Sequence, residues 1–175
     1  MAAMLFLLLH LLTIAAFMGL LISAAVGDVK MYRIPNAYSL VLLGLYPLFA
    51  WSAPHSVAPL ASVAVMTGVL AVSFAAFAMG LFGGGDAKLL SAAALFAGPT
   101  LIFEFLLMTA LAGGLMSLLL AMRPVRFSMA AALDQRGHRM LRNALLADVV
   151  PYGVAIAAGG IYLTLRLVGA ATDGA

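Results

Sequence analysis

The chain has 175 residues, 66% hydrophobic and only 9% charged, with a formal net charge of +3 and a mean hydropathy of +1.17. That balance excludes a soluble globular domain, and a charge this small, spread along the chain, excludes a nucleic-acid surface. With no cysteine, disulfides, thiolate metal sites and cysteine nucleophiles are excluded as well.

In chain order, residues 4–26 form an apolar run of bilayer length that ends at Gly27-Asp28. Ser23-Ala24-Ala25 resembles a small-residue cleavage site, but no Lys or Arg precedes the run, so it reads as a retained first transmembrane helix. The polar loop DVKMYRIPN follows, and a second span covers 37–53 before Pro54 and Pro59. The third, 60–82, stops at three consecutive glycines. The twelve residues AKLLSAAALFAG, 87–98, would give roughly 18 Å of helix against a hydrocarbon core of roughly 30 Å, so this segment is short or deeply shielded. Spans at 100–122 and 149–168 complete the chain. The expected fold is an all-α integral membrane bundle of about six helices, a single polytopic domain over 1–175.

Charge sets its orientation. Lys30, Arg33, Lys88, Arg123, Arg126, Arg136, Arg139 and Arg142 fall on one side of six alternating spans, and Arg166 on the other. The positive-inside rule then makes the loops at 27–36, 83–88 and 123–148 cytoplasmic.

The acids sort by depth. Asp173 lies in the outer tail, and Glu104 lies roughly 27 Å of helix from the inner end of its span, where it reads as an interfacial or paired side chain. Asp134 sits among arginines as a surface ion-pair partner, and Asp148 precedes the last span as a cap. Asp28 and Asp86 remain, each preceded by glycine at the cytoplasmic end of a span. Two carboxylates at one depth suit an aspartyl protease, in which one ionised acid draws a proton from water and its protonated partner polarises the scissile carbonyl. Glycine before each acid would let substrate backbone approach and the helix end unwind. Paired intramembrane acids also serve ion or proton transport, so the spacing alone leaves both chemistries open.

The motifs are more specific. Gly83-Gly84-Gly85-Asp86 is a G-x-G-D sequence, Asp28 precedes a basic loop closing in Ile34-Pro35-Asn36, and Pro151-Tyr152-Gly153-Val154-Ala155-Ile156-Ala157 opens the last span. Together, over about residues 20–160, they resemble the type IV prepilin peptidases, the G-x-G-D aspartyl membrane proteases, and in particular the compact CpaA/TadV-like members of Tad (Flp) pilus systems. The resemblance implies catalytic roles for Asp28 and Asp86, and matches Gly83 and Gly85 to the family's second motif. It implies cleavage of the short basic leader of Flp-like prepilins or pseudopilins after a glycine, at the cytoplasmic face of a bacterial inner membrane, without metal or cofactor. The cysteine-bearing N-terminal region of larger members has no counterpart here, so methyltransferase activity is not expected.

Other residues have narrower readings. Gly27, Lys88, Pro35 and Asn36 are candidates for shaping the site. Lys88 equally suits a positive-inside anchor, and Asn36 suits the cap of the second span. His10 reads as a packed polar group toward the outer side. In the 123–148 loop, Phe127, Ala130, Leu133, Met140, Leu141 and Leu145 recur at helical spacing, with Arg136, Arg139 and Arg142 largely between them. That pattern describes a basic amphipathic helix anchored on membrane lipid, with a lip guiding substrate as the alternative. Two rival functions are a small ion- or proton-coupled transporter and a non-catalytic scaffold of a secretion apparatus. The first would place acids nearer mid-membrane and show an internal repeat, and the second leaves the glycine–aspartate pairs unexplained.

Overall fold

The computed structural model describes residues 2–31, 33–54, 56–81, 83–135, 137, 142 and 151–173. Its helices are α1 (Ala2–Met31), α2 (Asn36–Ser52), α3 (Pro59–Ala78), α4 (Gly84–Ala121), α5 (Arg123–Gln135) and α6 (Tyr152–Asp173). Four of them, α1, α3, α4 and α6, are long and apolar enough to cross a membrane. The protein is an all-α integral membrane protein.

Proline and glycine set the punctuation, though not always where a linear reading puts it. No proline follows α1 until Pro35, so the helix runs past Gly27-Asp28 and ends at Met31, which places Asp28 in its last turn rather than in a loop. Pro35 is the extended N-cap of α2, a role its fixed φ suits. Asn36 is therefore the first residue of α2 and not its cap. Pro59 stands at the start of α3, where its missing N–H costs nothing.

The end of α3 falls at Ala78, short of the glycine triplet. Gly80 takes a φ of 73°; its N–H donates to Phe77 O at 2.9 Å, and that of Leu81 donates to Ala76 O at 3.0 Å. This pair of bonds is a Schellman stop, for which only glycine is free of a Cβ penalty.

Helix α4 is broken at Gly98, whose φ of 56° and ψ of −169° lie outside the helical region, directly before Pro99. Contacts show that the chain reverses there. Asp28 meets Gly153, Leu21 lies against Gly160 and Met18 meets Thr164, so α1 and α6 are antiparallel. Asp86 is within electrostatic range of Asp28 and Phe96 packs on Phe17 at 4.6 Å, so the first arm of α4, residues 84–97, is antiparallel to α1. The second arm, from 99 onward, is antiparallel to α6, because Glu104 meets Arg166 while Gly113 faces Ala155. The two arms thus form a hairpin, and the expectation of a short, shielded segment before Gly98-Pro99 matches the first arm.

That arm is the centre of the bundle. Ala87, Leu89 and Ala92 through Ala97 are buried in it, and all but Ala87 join Phe17, Leu21, Leu42, Phe49 and Ile156 in one core cluster. Elsewhere small residues let helices close up. A Cβ on Gly159 would collide with Thr109, and one on Gly160 with Leu21, the close approach expected where lipid supplies no hydrophobic drive between helices. At the end away from the aspartates, Arg166 donates to Glu104 at 2.6 Å and Tyr162 O–H donates to the same carboxylate at 2.5 Å. Glu104 is the paired side chain expected. His10, fully buried, has its Nδ1 3.2 Å from Ser52 Oγ and stacks on Phe49.

Candidate active site

The two aspartates sit at the same end of the bundle, each beside the N-terminus of a helix. Such a terminus exposes backbone N–H groups that have no partner within the helix. Gly153 is the second residue of α6, and its N–H donates to Asp28 Oδ2 at 2.9 Å. Asp28 is 6% exposed, and this buried bond joins the last turn of α1 to the first turn of α6. Asp86 is the third residue of α4 after the extended N-cap Gly83, and its carboxylate accepts a backbone hydrogen bond from Gly83. This is the back-reaching half of a capping box. Each carboxylate is thereby fixed by one backbone donor, and the charge of Asp28 bears on Asp86. The other oxygen of Asp86, Oδ1, is buried without a hydrogen-bond partner among the described residues. One oxygen of Asp86 is anchored and the other is uncommitted.

Glycines around the pair provide room rather than torsional freedom. A Cβ on Gly83 would collide with the Asp86 carboxylate. On Gly85 it would lie 3.0 Å from the carbonyl oxygen and 3.2 Å from the Cβ of Ile34. On Gly153 it would lie 2.9 Å from Asp28 Oδ2 and 3.2 Å from Ile34 Cδ1. Ile34, itself 6% exposed, therefore touches both glycine-bearing segments and bridges the aspartates from the loop between α1 and α2. Gly27 behaves differently, since the nearest atom to a Cβ there is Met31 Cε at 3.9 Å. It neither unwinds α1 nor shapes the pair.

The remaining expected site residues lie to one side. Lys88 donates to Asn36 Oδ1 at 3.1 Å, tying the first turns of α4 and α2 together, and Pro35 starts α2. Two residues on from Asp86, Lys88 projects from the other face of the helix. Asp134 pairs with Arg142 at 3.8 Å across an exposed surface. Asp148 lies outside the described residues, as do Arg136, Arg139, Met140, Leu141 and Leu145 of the expected amphipathic segment. Of that segment α5 is described, with Ala130 buried and Phe127 exposed. Among the described residues no three His, Asp or Glu side chains gather into a metal-binding group.

Sequence reasoning missed two contributors, the Gly153 N–H and the Ile34 wedge. Both sat in motifs already noted, I-P-N and P-Y-G, but nothing in those letters shows that they converge on Asp28. A cavity of about 470 Å³ lies elsewhere, at the opposite end of the bundle around Gly98 and Arg166, and has no part in this arrangement.

A model of the type IV leader peptidase family matches residues 14–118, more than half of the chain. The chain belongs to that family. The matched stretch of this leader peptidase family member carries Asp28 and Asp86 and stops short of α6, which supplies the Gly153 donor. No curated protein and no solved structure matches the chain.

Proposed function

We propose that the protein is an aspartic prepilin leader peptidase that cuts the short basic leader of Flp-like prepilins after a glycine, at the cytoplasmic face of a bacterial inner membrane, with Asp28 and Asp86 as its catalytic pair. The observation that carries this reading is the juxtaposition of the two carboxylates at one end of the bundle, each steadied by a single backbone N–H and so each left with an oxygen for water or substrate.

In the reaction, one carboxylate takes a proton from water as the oxygen attacks the scissile carbonyl carbon. The other, protonated, donates to the carbonyl oxygen as its double bond opens. Collapse of the tetrahedral intermediate breaks the C–N bond, the leaving nitrogen takes a proton from the acid formed in the first step, and the second carboxyl recovers its own. Peptide hydrolysis requires an extended backbone, and glycine at 83 leaves the space that the Asp86 carboxylate occupies while glycine at 85 lets Ile34 pack close. Lys30, Arg33 and Lys88 belong to the same end of the bundle as the aspartates, the end that the positive-inside rule assigns to the cytoplasm.

Coexpression with a cognate Flp-type prepilin tests the reading. The precursor should be converted to a product beginning immediately after the leader glycine, by intact mass, and chelators should leave conversion unchanged. Loss of cleavage in EDTA with recovery on adding zinc would contradict a two-carboxylate mechanism.

A further inference from the structure

Although consecutive in the chain, α2 packs on α1 and α4, and α3 on α4, rather than on each other. A cleft of about 280 Å³ remains between α2, α3 and α4, on the far side of α4's first arm from Asp86. Lys88, Ser91 and Ala92 share one helix face by their spacing. The cleft is graded along its length. At the aspartate end stands Lys88, an exposed cation whose partner among the described residues is the neutral carboxamide of Asn36. Toward mid-bundle the walls are leucine and methionine, and Ser39, 6% exposed, has a hydroxyl without a partner among the described residues.

We propose that this cleft binds an anionic phospholipid, with the headgroup phosphate on Lys88 and one acyl chain between Leu40 and Leu43 on one wall and Met66 and Leu70 on the other. The apolar walls and the single cation together choose this occupant. The apolar walls of Leu40, Leu43, Met66 and Leu70 suit an acyl chain. A basic leader is repelled by Lys88, whereas a phosphate is attracted. The lipid would also brace the Lys88–Asn36 link, which joins the start of the helix carrying Asp86 to the start of α2, next to Ile34. Anionic lipid would then regulate the proposed peptidase site, but the binding itself does not depend on that reading.

The test uses the full-length protein in a neutral detergent, without substrate, and counts retained lipids by native mass spectrometry from an equal mixture of phosphatidylglycerol and phosphatidylcholine. Wild type should favour phosphatidylglycerol, and Lys88→Ala should lower that preference by roughly fivefold. Leu40→Trp, at a position 65% exposed and so outside the packed core, should reduce retention of both lipids. Free glycerophosphate should not displace the bound lipid. Unchanged preference in Lys88→Ala, or unchanged retention in Leu40→Trp, overturns the proposal. Displacement by an apolar helical peptide with a basic leader overturns it too, and assigns the cleft to substrate. Because no cleavage is read, a failed peptidase reading and a failed lipid site give separate signals.

Discussion

Asp28 is flanked by two glycines that do opposite things. Gly27, its neighbour in sequence, has only the tip of Met31 in ordinary contact where a side chain would go, whereas Gly153, 125 positions away, lies against the carboxylate and supplies its hydrogen bond. Gly153→Ala should therefore lower the catalytic rate by about tenfold or more, since displacing a reacting group by a fraction of an ångström is costly, while the amount of inserted protein stays near wild type. Gly27→Ala should keep cleavage within about threefold and stabilise α1 by roughly 0.5–1 kcal/mol, the usual gain for alanine inside a helix. Cleavage rates of the two variants, normalised to membrane content, check the pair, and the reverse order would contradict the assigned contacts. The aspartates themselves were legible in the sequence because each stands in a motif beside a membrane segment, where an ionisable group is expensive. Gly153 and Ile34 were not legible as partners, because their roles arise from the docking of α6 and the 33–35 loop onto Asp28 and depend on no local pattern.

The helices themselves were legible from hydropathy, but their ends less so, and glycine explains why. A glycine can serve as a stop through positive φ or as a space through its missing side chain, and the two look alike in sequence. Gly80 and Gly98 are of the first kind; Gly83 and Gly85 are of the second, with Gly83 at an ordinary extended φ of −77°. Reading the triplet as a stop placed the end of α3 too late, and reading Gly27 as a stop placed the end of α1 too early. The hairpin at Gly98 gives an element-scale prediction. A Cβ there would sit 2.9 Å from Ser62 Oγ at a φ of +56°, so Gly98→Ala should destabilise the protein by about 1–3 kcal/mol. Ser62→Ala should restore only the part due to contact. A thermal melt in detergent reads both, and a Gly98→Ala protein as stable as wild type would contradict the reversal.

At the scale of the molecule, the bundle has two unlike ends. One carries Asp28, Asp86 and Lys88, and the other carries the Glu104–Arg166 pair. We propose from the charge distribution that the first faces the cytoplasm. A cysteine placed at Ser56, exposed between α2 and α3, should react with an impermeant thiol reagent on intact cells. One at Ser128, exposed on α5, should react only after permeabilisation. The opposite labelling would put the aspartates on the wrong face for a prepilin leader. The most direct test of the whole account is cleavage of a cognate prepilin by purified protein in lipid vesicles, comparing Asp28→Asn, Asp86→Asn, the double variant and Glu104→Gln. Because the two carboxyl groups act as a unit, each single change should lower the rate at least about a thousandfold and the double change scarcely further, while Glu104→Gln remains active and all four insert normally. Wild-type cleavage by either Asp28→Asn or Asp86→Asn would contradict the assignment of this pair as the catalytic centre.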